Sequence, residues 1–167
     1  MSFKSNLISI VLVETSHPGN IGSVARAMKT MGLTKLSLVN PRKFPSGEAN
    51  ALSGNAGDVL ENAQIFNSIE EAIKDSIFVY ATSSRSRTIQ WPTVHVEEGA
   101  SLINNQVTSD KKVSIIFGRE DRGLTNEELQ LANTHIEIPA NPDYPVSNLA
   151  MSPQIVRYEI VKSHFAK

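Results

Sequence analysis

Four short stretches hold the residues with chemistry to offer. "HPGNIGSVARAMKTMG", His17 to Gly32, joins a glycine-containing turn to a helical pattern bearing Asn20 and Arg26. "ATSSRSRTIQWP", Ala81 to Pro92, sets Thr82 at a strand end, then projects Arg85 and Arg87 from a serine-rich loop beside Trp91. Arginines interleaved with hydroxyls and an aromatic suit phosphate and base contacts. "IIFGREDRGLTNEEL", Ile115 to Leu129, releases Arg119, Glu120, Asp121 and Arg122 between Gly118 and Gly123. Its acidic groups would repel a phosphate and suit a ligand with hydroxyls or positive charge. "IPANPDYPVSNLAMSP", Ile138 to Pro153, offers Ser147 and Asn148 on a loop stiffened by Pro139, Pro142 and Pro145, a ligand cradle if it follows a strand's C-terminal end.

Each stretch also has a bland reading: a solvated helix arginine, a surface loop, a polar connection and a stiff turn. Several sharper chemistries are disfavoured. Gly19 and Gly22 do not complete the G-x-G-x-x-G order of a dinucleotide site. Gly118 and Gly123 have P-loop spacing, but Leu124 and Thr125 stand where Lys and then Ser or Thr are needed. His17, His95, His135 and His164 show no metal-ligand spacing, and no G-x-S-x-G is present. The absence of cysteine removes disulfides, thiolate metal sites and a cysteine nucleophile.

The elements that must position these groups follow from periodicity. Apolar, β-branched runs at Leu7–Glu14, Lys35–Val39, Ile77–Ala81, Val113–Phe117 and His135–Ile138, with a short one at Gln64–Phe66, predict parallel strands covered on both faces. Between them, Asn20 to Met31 reads as an amphipathic helix capped by Asn20 and stopped by Gly32. "SIEEAIKD" and "VEEGASLINN" read as weaker helices, and Thr125 with Glu128 as a capping box. Ser152 to Phe165 predicts a last helix with Pro153 at its first position and apolar residues on more than one stripe, so that it would pack on the sheet and on a partner.

At 167 residues, 40% hydrophobic and 20% charged, the chain has the composition of one soluble α/β domain. A net charge of −1 leaves any nucleic-acid affinity to local basic patches. The polar N-terminus and the short run Leu7 to Val13 fit neither a leader nor a membrane span, which predicts a cytoplasmic protein.

Taken in order, "NIGSVAR", "TSSRSRT", "IIFGREDRGL" and "IPANPDYPVSNLA" resemble the motifs of the SPOUT superfamily of RNA methyltransferases. The likeness covers nearly the whole chain and is greatest to the TrmJ-type tRNA 2′-O-methyltransferases, which modify nucleotide 32 of the anticodon loop. It implies an α/β domain with a deep C-terminal trefoil knot, S-adenosylmethionine bound within the knot, a homodimer with tRNA across its interface, and no metal. Carried over by position, Thr82, Gly118, Glu120, Gly123, Ile138, Ser147 and Leu149 would line the methyl-donor pocket. Arg26 matches the catalytic arginine, Asn20 its companion, and Asn148 stands near the reacting groups. Arg85, Arg87 and Arg122 would meet RNA. The chain then reads as one catalytic domain, residues 1–167, lacking the C-terminal tRNA-holding region common in that group. Two departures stand out: Val146, Ser147 and Asn148 replace the usual Ser-Leu-Asn, and Ser152 and Pro153 replace small or branched apolar residues. They motivate the rival reading of an RNA-binding member without catalysis, beside that of a relative acting on another tRNA or rRNA ribose.

Overall fold

In a parallel strand covered on both sides, successive side chains must both be apolar because they enter opposite cores. The first strand, β1 (Ile8–Val13), does this: Ile8, Ile10 and Leu12 join one core cluster, Val11 and Val13 the other. The chain is described here from a computed structural model covering residues 4–83, 91–138 and 151–165. Among these, the other strands are β2 (Lys35–Val39), β3 (Gln64–Phe66), β4 (Phe78–Ser83), β5 (Thr93–His95), β6 (Val113–Phe117) and β7 (Thr134–Glu137). They form one sheet in the order β3-β2-β1-β6-β4-β7-β5, every pair parallel.

The helices are α1 (Pro18–Thr30), α2 (Gly47–Ser53), α3 (Gly57–Glu61), α4 (Ile69–Ile73), α5 (Val96–Thr108), α6 (Asn126–Leu129) and α7 (Met151–Phe165). Ile21, Val24 and Met28 of α1, Ile103 and Val107 of α5, and Val156 and Ile160 of α7 cover one face of the sheet. Ile69 of α4 and Leu129 of α6 cover the other. Each fully buried aliphatic side chain contributes on the order of 1.5–3 kcal/mol, enough in sum to fix the register of so short a set of strands.

Most predicted elements are present, with differences that have local causes. Helix α1 starts at Pro18 rather than at an Asn20 cap: His17 is the N-cap, without a side-chain bond, and Pro18 supplies a preset φ where a missing N–H is harmless. Gly32 does end it, at φ 80°, with Leu33 N–H donating to Met28 and Gly32 N–H to Lys29. Helix α7 begins at Met151, so Pro153 falls later in the first turn, where N–H groups have no intrahelical partner. Strand β5 was not predicted; three residues behind Pro92 on the sheet edge show no periodicity to read.

The path through the sheet matters for function. From β1 the chain steps outward through β2 and β3, then returns to the far side of β1 with β4, and β6 fills the gap between them. Such a reversal opens a crevice at the C-terminal ends of the strands, where open α/β sheets hold ligands.

Candidate active site

At that crevice β6 ends in the turn 118–123. Arg119 and Gly123 exchange both backbone hydrogen bonds, at 3.1 and 3.0 Å. A Cβ on Gly118 would lie 2.2 Å from the Gly123 carbonyl carbon and 2.5 Å from the Leu124 nitrogen. Gly123 has φ 67°, in the left-handed region. Both glycines are therefore required by the closure of the turn itself.

The next two side chains leave in opposite directions. Arg119 donates to both Glu128 oxygens, at 2.8 and 2.9 Å, and to Glu14 Oε2 at 2.5 Å. Glu128, ahead of Glu14, holds the guanidinium more firmly protonated than usual. Glu120 turns to α1: its Oε2 accepts from His17 N–H at 2.9 Å and from Asn20 Nδ2 at 3.0 Å, and Ser16 N–H lies 3.1 and 3.2 Å from its two oxygens. Burial acts to raise the Glu120 pKa, but the donors from His17, Ser16 and Asn20 outweigh it and leave the carboxyl below its usual value. A negative charge placed there also complements the positive end of α1.

Asn20 thus serves α1 by meeting Glu120 rather than by capping. Two turns on, Arg26 is exposed on the helix. Its setting depends on α2, which lies directly on α1: a Cβ on Gly22 would sit 2.1 Å from the Ala49 carbonyl oxygen, and one on Gly19 2.7 Å from Leu52. The chain then turns at Gly54, φ 58°, whose Cβ position is 3.8 Å from Arg26 Cδ and Nε. Gly54 is thus placed beside the Arg26 side chain, and its left-handed φ is what favours glycine there. Its proximity had no sequence signal, since it arises from helix packing.

Thr82 and Ile138 stand at the neighbouring strand ends. The Thr82 hydroxyl donates to the Ile116 carbonyl at 3.1 Å, and Ile138, 6% exposed, donates its N–H to Ser83 at 3.0 Å. Gly118, Thr82 and Ile138 therefore close three adjacent strands, β6, β4 and β7, along one edge. Arg122 is exposed, 3.8 Å from Asp121, and lines a surface cleft of about 360 Å³ with Arg119, Leu124, Thr125 and Asn126. Arg85, Arg87, Ser147, Asn148 and Leu149 lie outside the described residues. Sequence reasoning missed Glu14 and Gly54, and took Glu128 only as half of the capping box with Thr125, which it also is. Among the described residues, no group of three or more His, Asp or Glu is placed to hold a metal, and no helix is long and apolar enough to cross a membrane.

Known proteins are similar to this chain over most of its length. A relative from Pectobacterium atrosepticum, tRNA (cytidine/uridine-2′-O-)-methyltransferase TrmJ, is 50% identical over 157 residues, covering 94% of this chain and 65% of the relative. The chain thus spans about two thirds of that relative's length. The crystal structure of TrmJ from Z. mobilis superposes with a TM-score of 0.88 at 38% identity, covering 92% of this chain and 68% of that one. The SpoU methyltransferase AviRb from Streptomyces viridochromogenes, in complex with AdoMet, shares the fold at a TM-score of 0.75 and 17% identity, over 95% of this chain and 61% of that one. The profile of the SpoU rRNA Methylase family matches residues 7–158, and with half the residues identical to TrmJ over nearly its full length, the chain belongs to that family.

Proposed function

We propose that this chain is the catalytic region of an S-adenosylmethionine-dependent tRNA ribose 2′-O-methyltransferase acting on nucleotide 32 of the anticodon loop. The observation that carries the reading is the placement of Arg26: exposed, flanked by Gly54, on a helix whose entry is clamped through Asn20 and Glu120 to the end of β6. The 50% identity to TrmJ supports the substrate class.

The described residues suit the cofactor. Gly118 and Thr82 present backbone at adjacent strand ends, and Ile138 gives an apolar wall for a purine ring, with Gly123, Ser147 and Leu149 completing the pocket in this reading. Bound there, S-adenosylmethionine supplies an electrophilic methyl group on a sulfonium. Arg26 holds the target phosphate and stabilises the 2′-oxygen as negative charge develops on it. An arginine keeps its proton at any ordinary pH, so this role is electrostatic rather than that of a general base. Asn148 orients the reacting ribose, Asn20 keeps the first turn of α1 in place, and Arg85, Arg87 and Arg122 hold the RNA backbone. The same reading includes the trefoil knot, a cytoplasmic location and a homodimer. Tyr158, 53% exposed, and Phe165, 75% exposed, project from α7 as apolar surface for a second copy.

The test is transfer of labelled methyl to tRNA and, in parallel, to rRNA, mapped by primer extension, with binding of S-adenosylmethionine followed by calorimetry. Arg26→Ala is expected to abolish transfer while cofactor affinity stays within about twofold, because the lost interaction acts in the transition state. Substantial turnover by Arg26→Ala refutes the assigned role, modification confined to rRNA moves the substrate, and cofactor binding absent from the folded wild-type chain favours an RNA-binding member without catalysis.

A further inference from the structure

Arg119 and Glu120 divide the attachment of one turn between two parts of the molecule. On one side, the Arg119 side chain, 11% exposed, reaches three anchors. It grips Glu128 with both fork nitrogens, Glu14 at the end of β1 through Nη2, and the Gly123 carbonyl through Nη1 at 3.2 Å. Glu14 itself sits at φ 48°, and Glu128 is held in the capping box of α6. On the other side, Glu120 receives Ser16, His17 and Asn20. Among the described residues, no other side-chain hydrogen bond fastens residues 118–123 to the rest of the fold. The stiffness with which Glu120 meets α1 is therefore set by the hold of Arg119 on the strand end and α6.

The geometry points to Arg119 as a positioning residue for the methyl transfer proposed above: acting through Glu120, it fixes Asn20 and the entry of the helix that carries Arg26. The role requires the planar fork. Glu128 is bound at two points and Glu14 at a third from one rigid group, whereas a lysine ammonium is a single point charge on a flexible stem and retains at most part of that geometry. The inference rests on the methyltransferase reading for its consequence in turnover, but its structural half does not.

Two arms of one experiment on the full chain separate these. In the first, amide hydrogen exchange is followed at Ser16 and His17 in the wild type and in Arg119→Lys. Exchange at these two amides is expected to rise about tenfold or more while amides inside α1 keep their wild-type rates, since local opening is what exchange reads. Unchanged exchange at Ser16 and His17 overturns the inference whether or not the chain is an enzyme. In the second, kcat and KM for tRNA are measured for Arg119→Lys, Glu120→Gln and the double variant. The expected result is a roughly tenfold drop in kcat for Arg119→Lys with KM within about twofold, shrinking to less than about twofold when Glu120→Gln is already present. Equal fold losses in both backgrounds, or a lowered melting temperature with unchanged kcat, overturn it. Should Arg119→Lys fail to fold, Glu14→Gln, at the anchor whose side chain is 45% exposed, takes its place with a smaller loss of the same pattern. Inactivity of the wild-type chain with S-adenosylmethionine and tRNA refutes the proposed function instead.

Discussion

Gly22→Ala tests whether the glycine in "NIG" serves helix packing. The added Cβ would fall 2.1 Å from the Ala49 carbonyl oxygen, 2.9 Å from its carbonyl carbon and 3.1 Å from its Cα, whereas real Cβ atoms essentially never come within 3.0 Å. The obstacle is backbone, so no rotamer change relieves it, and α2 must retreat from α1 by about 1 Å. Overpacking of this kind costs roughly 1–3 kcal/mol, and a backbone obstacle belongs at the upper end. Alanine returns roughly 1 kcal/mol of helix propensity, leaving a net loss of about 2 kcal/mol. For a domain of this size that is a fall in melting temperature of roughly 4–8 °C, measurable by calorimetry or circular dichroism. Gly57→Ala is the control: nothing lies within 4 Å of its Cβ position and its φ is not left-handed, so stability should hold or rise slightly. A Gly22→Ala protein as stable as the wild type would refute the packing argument.

Two further perturbations probe charges that the fold has enclosed. Arg157 of α7 is 3% exposed, its Nε and Nη1 have no hydrogen-bond partner among the described residues, and burial pushes its pKa down. Arg157→Met should therefore stabilise the fold by about 1–3 kcal/mol in thermal unfolding, and a lower melting temperature would show that the guanidinium is satisfied. Glu120 and Glu128 both titrate below the usual glutamate value of 4.5: burial opposes this in each, but His17 and Ser16 donors at Glu120 and the Arg119 contact at Glu128 prevail. A depressed folded pKa gives stability that is full above the unfolded value and is lost as pH falls through the folded one. The urea midpoint should therefore decline below about pH 4.5, and Glu120→Gln with Glu128→Gln should flatten part of that decline. An acid profile unchanged by the double substitution would remove these carboxylates as its source.

Strands were legible because two-sided burial demands unbroken apolar runs, and β2, β3 and β6 have the predicted boundaries. Edge strand β5 was not, being too short to carry a period. The capping box of α6 and the glycine stop of α1 were readable because their partners lie within a few residues in sequence. Contacts that join distant segments had no such signal. Glu120 meets Asn20 across 100 residues and Arg119 meets Glu14 across 105, and only the β1–β6 adjacency brings them together. The choice of Asn20 as cap failed for a local reason, since Pro18 had already opened the helix.

The charged turn after a buried strand then has a physical account. Its first two charges are spent inside the protein: Arg119 on Glu14 and Glu128, Glu120 on the entry of α1. Its last two face water, Asp121 with a side chain 78% exposed and Arg122 73%, and their 3.8 Å pairing is too exposed to hold either firmly. Gly118 and Gly123 give the turn its tight closure, with Arg119 and Glu120 on its inner side and Asp121 and Arg122 at its exposed tip. Oε2 of Glu120 already receives His17 and Asn20 and is taken up by α1, while Oε1 receives Ser16 alone. In the proposed function, backbone groups at Gly118 and at the ends of β4 and β7 would meet the cofactor, with Arg122 left outward for the RNA backbone. If so, Glu120→Gln should act on turnover through Asn20 and Arg26 more than on cofactor affinity, and a cofactor dissociation constant raised in proportion to the loss of turnover would return Glu120 to the pocket wall.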